Sequence, residues 1–284
     1  MKHGAGRVVQ GFALAPKRGS ARAQAVVRVR RSRGRRFRFN SRTATVKKHL
    51  VLPIRDNIPS RRFPAATLSI IAVNTLIFLW ELQLGPRRLE IALWELAVVP
   101  VRYSDPDAAR SFSTNELLPF LSSMFLHGGW LHLIGNMWTL WIFGDNVEDR
   151  LGRGRFFALY LASGVAAALM HIYTNLGSQV PTIGASGAIA GVMGAYFRFF
   201  PHARVETVIP PFIFGPYFVL PAVLFLGWWF LLQFFNGALS LGAGARSFGG
   251  IAWWAHVGGF AFGVAVCLFV RRPRLVDYDD DETP

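Results

Sequence analysis

The sequence predicts an all-α polytopic membrane protein, a bundle of six membrane-spanning helices. Three observations predict it. Of the 284 residues, 52% are hydrophobic, with 25 Phe and 9 Trp, which is too apolar for an ordinary soluble domain. Six segments approach or reach the roughly 20 helical residues that a bilayer core requires. Basic residues recur at alternate segment ends, the pattern that sets the orientation of such chains.

The segments, in order, are 66–84, 119–143, 155–175, 186–200, 216–237 and 250–270. Pro201, Pro210 and Pro211 punctuate the end of the fourth, and GALSLGAGARSFGG separates the fifth from the sixth. The basic residues before Phe63, EDRLGRGR, RFFPHAR and Arg271–Arg274 fall on one side, read as the cytoplasm, and six spans return the C-terminus to it. A bacterial plasma membrane is the expected location. The first opposite-side loop holds RRLEIALWELAVVPVRY, an amphipathic stretch suited to lying at the interface.

The net charge of +15 belongs mostly to one end. Residues 1–65 hold 18 Lys/Arg and one acid, Asp56, and the rest is close to neutral. Three readings of this tail stay open: spurious upstream translation of residues 1–50 ahead of a start at Val51, a basic segment that meets anionic partners, or an Arg-rich targeting peptide. The expected organisation is a disordered basic tail over 1–62, a membrane domain over 63–272 and a short acidic tail over 273–284. The single Cys267 excludes an internal disulfide framework and a multi-Cys zinc site.

Polar groups inside apolar spans are functional candidates. The second span carries His127, His132 and Asn136, the third His171, the fourth Ser186 and the sixth His256. At about 1.5 Å per helical residue, Ser186, His256 and His132 each lie about 20–22 Å above the basic side. Asn136 is one turn from His132 on the same face. The fourth span is too short to cross the core, so chain above Ser186 must be non-helical, which is tolerated where it is buried in protein or lines a water-filled cavity, the latter a source of water for hydrolysis. Gly187, Gly191 and Gly194 in the fourth span, with Gly259 and Gly263 in the sixth, would let these two helices approach closely. That approach would bring His256 to Ser186 as the base a serine nucleophile needs. Between Arg150 and Val276 the sequence holds one acid, Glu206, near the basic side, so a Ser–His dyad is expected. The Ser186 backbone N–H, Asn136 and His132 are the candidate oxyanion donors.

GASGAIAGVMGAY, AHVGGFAFG, HGGWLHLIGNMW and VEDRLG together resemble the rhomboid family of intramembrane serine proteases, over about residues 52–272. The resemblance implies Ser186, within Gly184-Ala-Ser-Gly187, as nucleophile and His256 as general base and acid. It implies His132 and Asn136 at the oxyanion, Glu148 and Arg150 as a structural polar pair at a loop, and Gly259 and Gly263 as close-packing glycines. It implies cleavage of peptide bonds in or beside transmembrane helices of other proteins, in a lipid bilayer, and the fifth span as a movable gate. Neither cofactor, metal nor nucleic acid is expected, and the oligomeric state stays open. Two departures stand out. A Trp-Arg pair of some relatives is replaced here by Leu118 and Pro119. A Tyr four residues after the nucleophile, which stacks on the histidine, is Ala190 here, so Trp253 and Trp254 are the candidates to hold His256.

Several residues also have plainer readings. Ser186 alone would be a packing residue, and His171 a satisfied structural one. His127 is expected to cap or orient the outer end of the second span. A metal trio of His127, His132 and His256 is disfavoured, because a spacing of five on a helix separates the first two. A helix-binding relative without activity would lack the dyad residues, and a transporter would show an inverted repeat.

Overall fold

The computed structural model describes residues 52–104, 114–208, 218–243 and 251–270. The basic segment 1–50, the acidic tail, Arg246, Arg271–Arg274, Pro210, Pro211 and Pro216 lie outside the described residues. The fold is mostly helical. The principal helices are α1 (Ala65–Glu81), α2 (Pro86–Leu96), α3 (Trp130–Leu151), α4 (Arg153–Thr174), α5 (Ser186–Phe199), α6 (Ala222–Ala243) and α7 (Trp253–Cys267). Two of them, over Arg153–Thr174 and Ala222–Leu241, are long and apolar enough to cross a membrane by themselves; α1 and α7 are shorter apolar helices.

The core is built around α5. Nearly every residue from Gly187 to Tyr196 is buried, and α7, α4 and α3 pack around it. The α5–α7 contact is a backbone contact. A Cβ at Gly259 would overlap the Gly187 carbonyl oxygen, and one at Gly263 the Gly191 carbonyl oxygen. At Gly187 it would come within 2.6 Å of the Ala167 Cβ on α4. Small residues bring helices close where dispersion contacts and polar bonds drive association.

The all-α expectation needs correcting. Three short strands, β1 (Leu52–Asp56), β2 (Arg204–Val208) and β3 (Phe218–Pro221), form an antiparallel sheet in the order β1-β2-β3. Alternation in RVETV buries Val205 and Thr207 and leaves Arg204 exposed, which suits a half-buried strand. The sheet is pinned to the helices. The Trp138 indole N–H donates to the Pro53 carbonyl at 2.7 Å, and Asn146 Nδ2 donates to Asp56 at 2.9 Å. The Tyr196 hydroxyl also donates to Asp56.

Two expected spans shift. Where the second was expected over 119–143, the chain forms a short helix Leu118–Ser122, a 3-10 turn Ser123–Phe125 and an irregular stretch, and only then α3. The fifth begins after Pro221, since 218–221 is strand. All of VEDRLG but Gly152, the C-cap, lies in the end of α3 rather than in a loop. There Glu148, 3% exposed, accepts the Ala66 and Thr67 N–H groups at 2.9 and 2.7 Å and the Thr67 hydroxyl at 2.8 Å. This satisfies otherwise unpaired donors at the start of α1. Arg153 Nε is 3.9 Å from Glu148, and the Arg150 guanidinium lies over the Phe199 ring.

Candidate active site

Ser186 is the first residue of α5. The Ile189 N–H returns to the Ala185 carbonyl at 2.9 Å, so the N–H groups of Ser186, Gly187 and Ala188 precede the helical ladder. The chain enters this turn through Gly184, at φ +118, whose N–H donates to the Ser123 carbonyl at 2.8 Å. An L side chain rarely adopts that conformation, and a Cβ there would also meet the His132 ring at 2.6 Å. Gly184 thus aims the Ser186 hydroxyl and leaves room for the imidazole.

His256, in the first turn of α7, places Nε2 2.8 Å from Ser186 Oγ. Its Nδ1 is 2.8 Å from Oε1 of Gln233, on α6. A neighbour that only accepts assigns the proton to Nδ1 and leaves Nε2 free to accept from the Ser186 hydroxyl. The Trp229 ring lies beside the imidazole, centroids 5.8 Å apart. Gln233 and Trp229 therefore flank His256, two neighbours beyond the expected Trp253 and Trp254. Trp254 instead donates to the Gly237 carbonyl and packs edge-on to Phe234.

On the other side of Gly184 stand His132 and Asn136. The Gly128 N–H points at His132 Nδ1 at 3.4 Å, which assigns that nitrogen as acceptor and puts the proton on Nε2, the atom beside Gly184. Asn136 is buried, and its Nδ2 donates to His127 Nε2 at 3.1 Å. His127 Nδ1 in turn faces the Phe125 carbonyl at 3.3 Å. The amide of Asn136 is thereby oriented, with Nδ2 directed along the Gly184 side. His127 is not on α3 at all, so the helical-spacing argument against its meeting His132 fails. Their ring centroids are 5.1 Å apart. The backbone N–H of His127 is held by Glu81 Oε2 at 3.0 Å, from the far end of α1.

His171 is turned to a structural task. Its Nε2 meets the Thr182 hydroxyl at 2.8 Å, and Thr182 forms a β-bridge with Val98. This ties the segment entering Gly184 to the chain that follows α2. A cavity of about 30 Å³, room for a water, adjoins Ser186 and is lined by Ser123, Thr182, Gly184 and Ala255, among others.

A hydroxyl bonded to an oriented imidazole, with His132 and Asn136 beside the Gly184 that precedes Ser186 by two residues, is an arrangement able to support acyl transfer. Gln233 escaped the sequence reading although its signal was visible. It is a polar residue inside LGWWFLLQFF, and polar side chains in apolar spans call for a partner.

Residues 114–273 match the family described as the Rhomboid domain. Rhomboid protein 1, mitochondrial, of Saccharomyces cerevisiae is 32% identical over 159 residues, 55% of this chain and 42% of the yeast protein. Presenilin-associated rhomboid-like protein A, mitochondrial, of Danio rerio is 32% identical over 206 residues, 69% of this chain and 45% of the fish protein. Presenilin-associated rhomboid-like protein, mitochondrial, of Homo sapiens is 29% identical over 206 residues, with 69% and 45% covered. The chain spans less than half the length of each of these relatives. Their names overturn the expectation of a bacterial plasma membrane with cytoplasmic termini. A bias of basic residues distinguishes the two sides of a membrane, not which membrane it is.

Proposed function

The chain belongs to the rhomboid family, and from that premise we infer that it is an intramembrane serine endopeptidase. It crosses a bilayer with six helical segments and cleaves peptide bonds in or near transmembrane helices of other membrane proteins. The observation that carries this reading is the 2.8 Å contact between His256 Nε2 and Ser186 Oγ across the glycine-lined α5–α7 interface. The relatives' names support a mitochondrial membrane as its setting.

The chemistry follows from the site. His256 Nε2 takes the Ser186 proton as Oγ attacks the scissile carbonyl carbon. The carbonyl oxygen gains the negative charge. The Ser186 N–H, the His132 Nε2–H and the Asn136 amide would receive it, aided by the positive end of α5. The tetrahedral intermediate collapses, and His256 passes its proton to the departing amine. An ester on Ser186 remains. A water, deprotonated by the same imidazole, attacks the ester and regenerates the hydroxyl. The small cavity beside Ser186 is where such a water fits.

The test is reconstitution of the full chain in proteoliposomes with transmembrane-segment substrates. Wild type is expected to cleave, and Ser186→Ala and His256→Ala to lose cleavage. Equal cleavage by all three sinks the mechanism, and no cleavage of a broad panel by wild type sinks the enzyme.

A further inference from the structure

We propose that Gln233 is the positioning residue of His256, a third member that fixes the tautomer and orientation of the imidazole in the Ser–His dyad. The inference rests on the serine-protease reading above. The catalytic pair comes from α5 and α7, but the groups that fix the imidazole come from α6. Gln233 Oε1 holds Nδ1 at 2.8 Å, and Trp229 flanks the ring at 5.8 Å. The two are four residues apart and so share one face of α6.

The amide's own orientation is set. Gln233 Nε2 donates to the Trp229 carbonyl at 3.4 Å, which leaves Oε1 to accept from the imidazole. Gln233 is 7% exposed, so water is a poor substitute for that bond. With the proton held on Nδ1, Nε2 presents a lone pair to the Ser186 hydroxyl. The opposite tautomer would present an N–H there, and no base. A neutral amide can choose the tautomer and fix the ring, but it does not balance the imidazolium charge as the carboxylate of a Ser-His-Asp triad does. Gln233 therefore acts through geometry, and a carboxylate in its place should leave a signature in pH. The other titratable groups influencing His256 are His132 on α3 and His171 on α4.

The experiment uses the full chain in lipid nanodiscs, with Gln233→Met, close in shape but unable to accept at that position, and Gln233→Glu. Histidine-selective ¹⁵N NMR reads the His256 tautomer. A fluorophosphonate probe reads serine reactivity, as a maximal labelling rate, a probe affinity and a pH profile. Wild type is expected to hold the proton on Nδ1. Gln233→Met should mix the tautomers and slow maximal labelling about tenfold to a hundredfold, with probe affinity unchanged. Gln233→Glu should keep the tautomer, label faster than Gln233→Met, and move the acid limb of its profile to higher pH, because the carboxylate holds the imidazolium proton. A wild-type tautomer with labelling within twofold of wild type in Gln233→Met overturns the proposal, as does an unmoved acid limb in Gln233→Glu. Failure of wild type to label at all is failure of the protease reading. The tautomer spectra still judge Gln233 in that case, and a Gln233→Met spectrum like wild type overturns its role.

Discussion

Replacing Gly184 with Ala perturbs the site at one atom. The added Cβ would lie 2.6 Å from His132 Cε1 and Nε2, where ordinary contact begins near 3.4 Å, so the ring must retreat by about 0.8 Å. The backbone at φ +118 adds strain of roughly 1–3 kcal/mol for a residue with a side chain. The retreat displaces the His132 Nε2–H, one of the proposed oxyanion donors. Losing one such donor costs about 10²–10³ in rate. The expected result for Gly184→Ala is cleavage reduced about a hundredfold or more, with a modest loss of thermal stability. The control is Gly128→Ala, whose Cβ would have its nearest neighbours at an unstrained 3.9 Å and whose N–H to His132 survives. Cleavage of a transmembrane substrate in proteoliposomes, alongside thermal unfolding, reads both. Gly184→Ala within twofold of wild type, in a folded protein, would refute the reasoning about His132.

Three further outcomes are expected. Glu148→Ala should destabilise the protein by about 3 kcal/mol, since two backbone N–H groups and a hydroxyl lose one buried carboxylate; chemical unfolding in detergent measures it, and a loss below about 1 kcal/mol would contradict the capping role. His127→Ala and Asn136→Ala should each slow cleavage about tenfold or more, and the double variant no more than the worse single, because His127 acts by orienting the amide; additive losses would show separate roles. Burial pushes the Asp56 carboxyl from 3.8 up to about 6, so its proton is held more tightly folded than unfolded. Its contribution to stability is therefore full below about pH 4 and lost as pH rises through 6. Melting temperatures from pH 4.5 to 7.5 should show this fall, and Asp56→Asn should make it shallower over the part below about pH 6.

How far the sequence could be read depends on what each residue's surroundings demand. Helices α5 and α7 fall within a few residues of their expected bounds, because glycine-rich apolar runs ended by Pro201 and by polar loops describe both membrane depth and helix length. The second span misled because apolarity marks depth, not helix. His127, Gly128 and Gly129 interrupt it, and α3 continues through Glu148 and Arg150 beyond the apolar stretch. Strand β3 was hidden because four residues at the head of an apolar run look like the run itself, and Phe218–Pro221 pairs with β2 only through the fold. Gln233 and Trp229 reach His256 across 23 and 27 positions of sequence, and no local spacing encodes that. The pairing of Ser186 with His256 was accessible to reasoning because depth and close-packing glycines constrain both ends of the contact.

The central claim is that Ser186, activated by His256, is the nucleophile. The most direct measurement is peptide mapping by mass spectrometry after fluorophosphonate treatment of the full chain in bilayers. An adduct on Ser186 in wild type, absent in His256→Ala and accompanied by loss of substrate cleavage, is the predicted result. Persistent cleavage with Ser186 unmodified, or an adduct on a different serine, would contradict it.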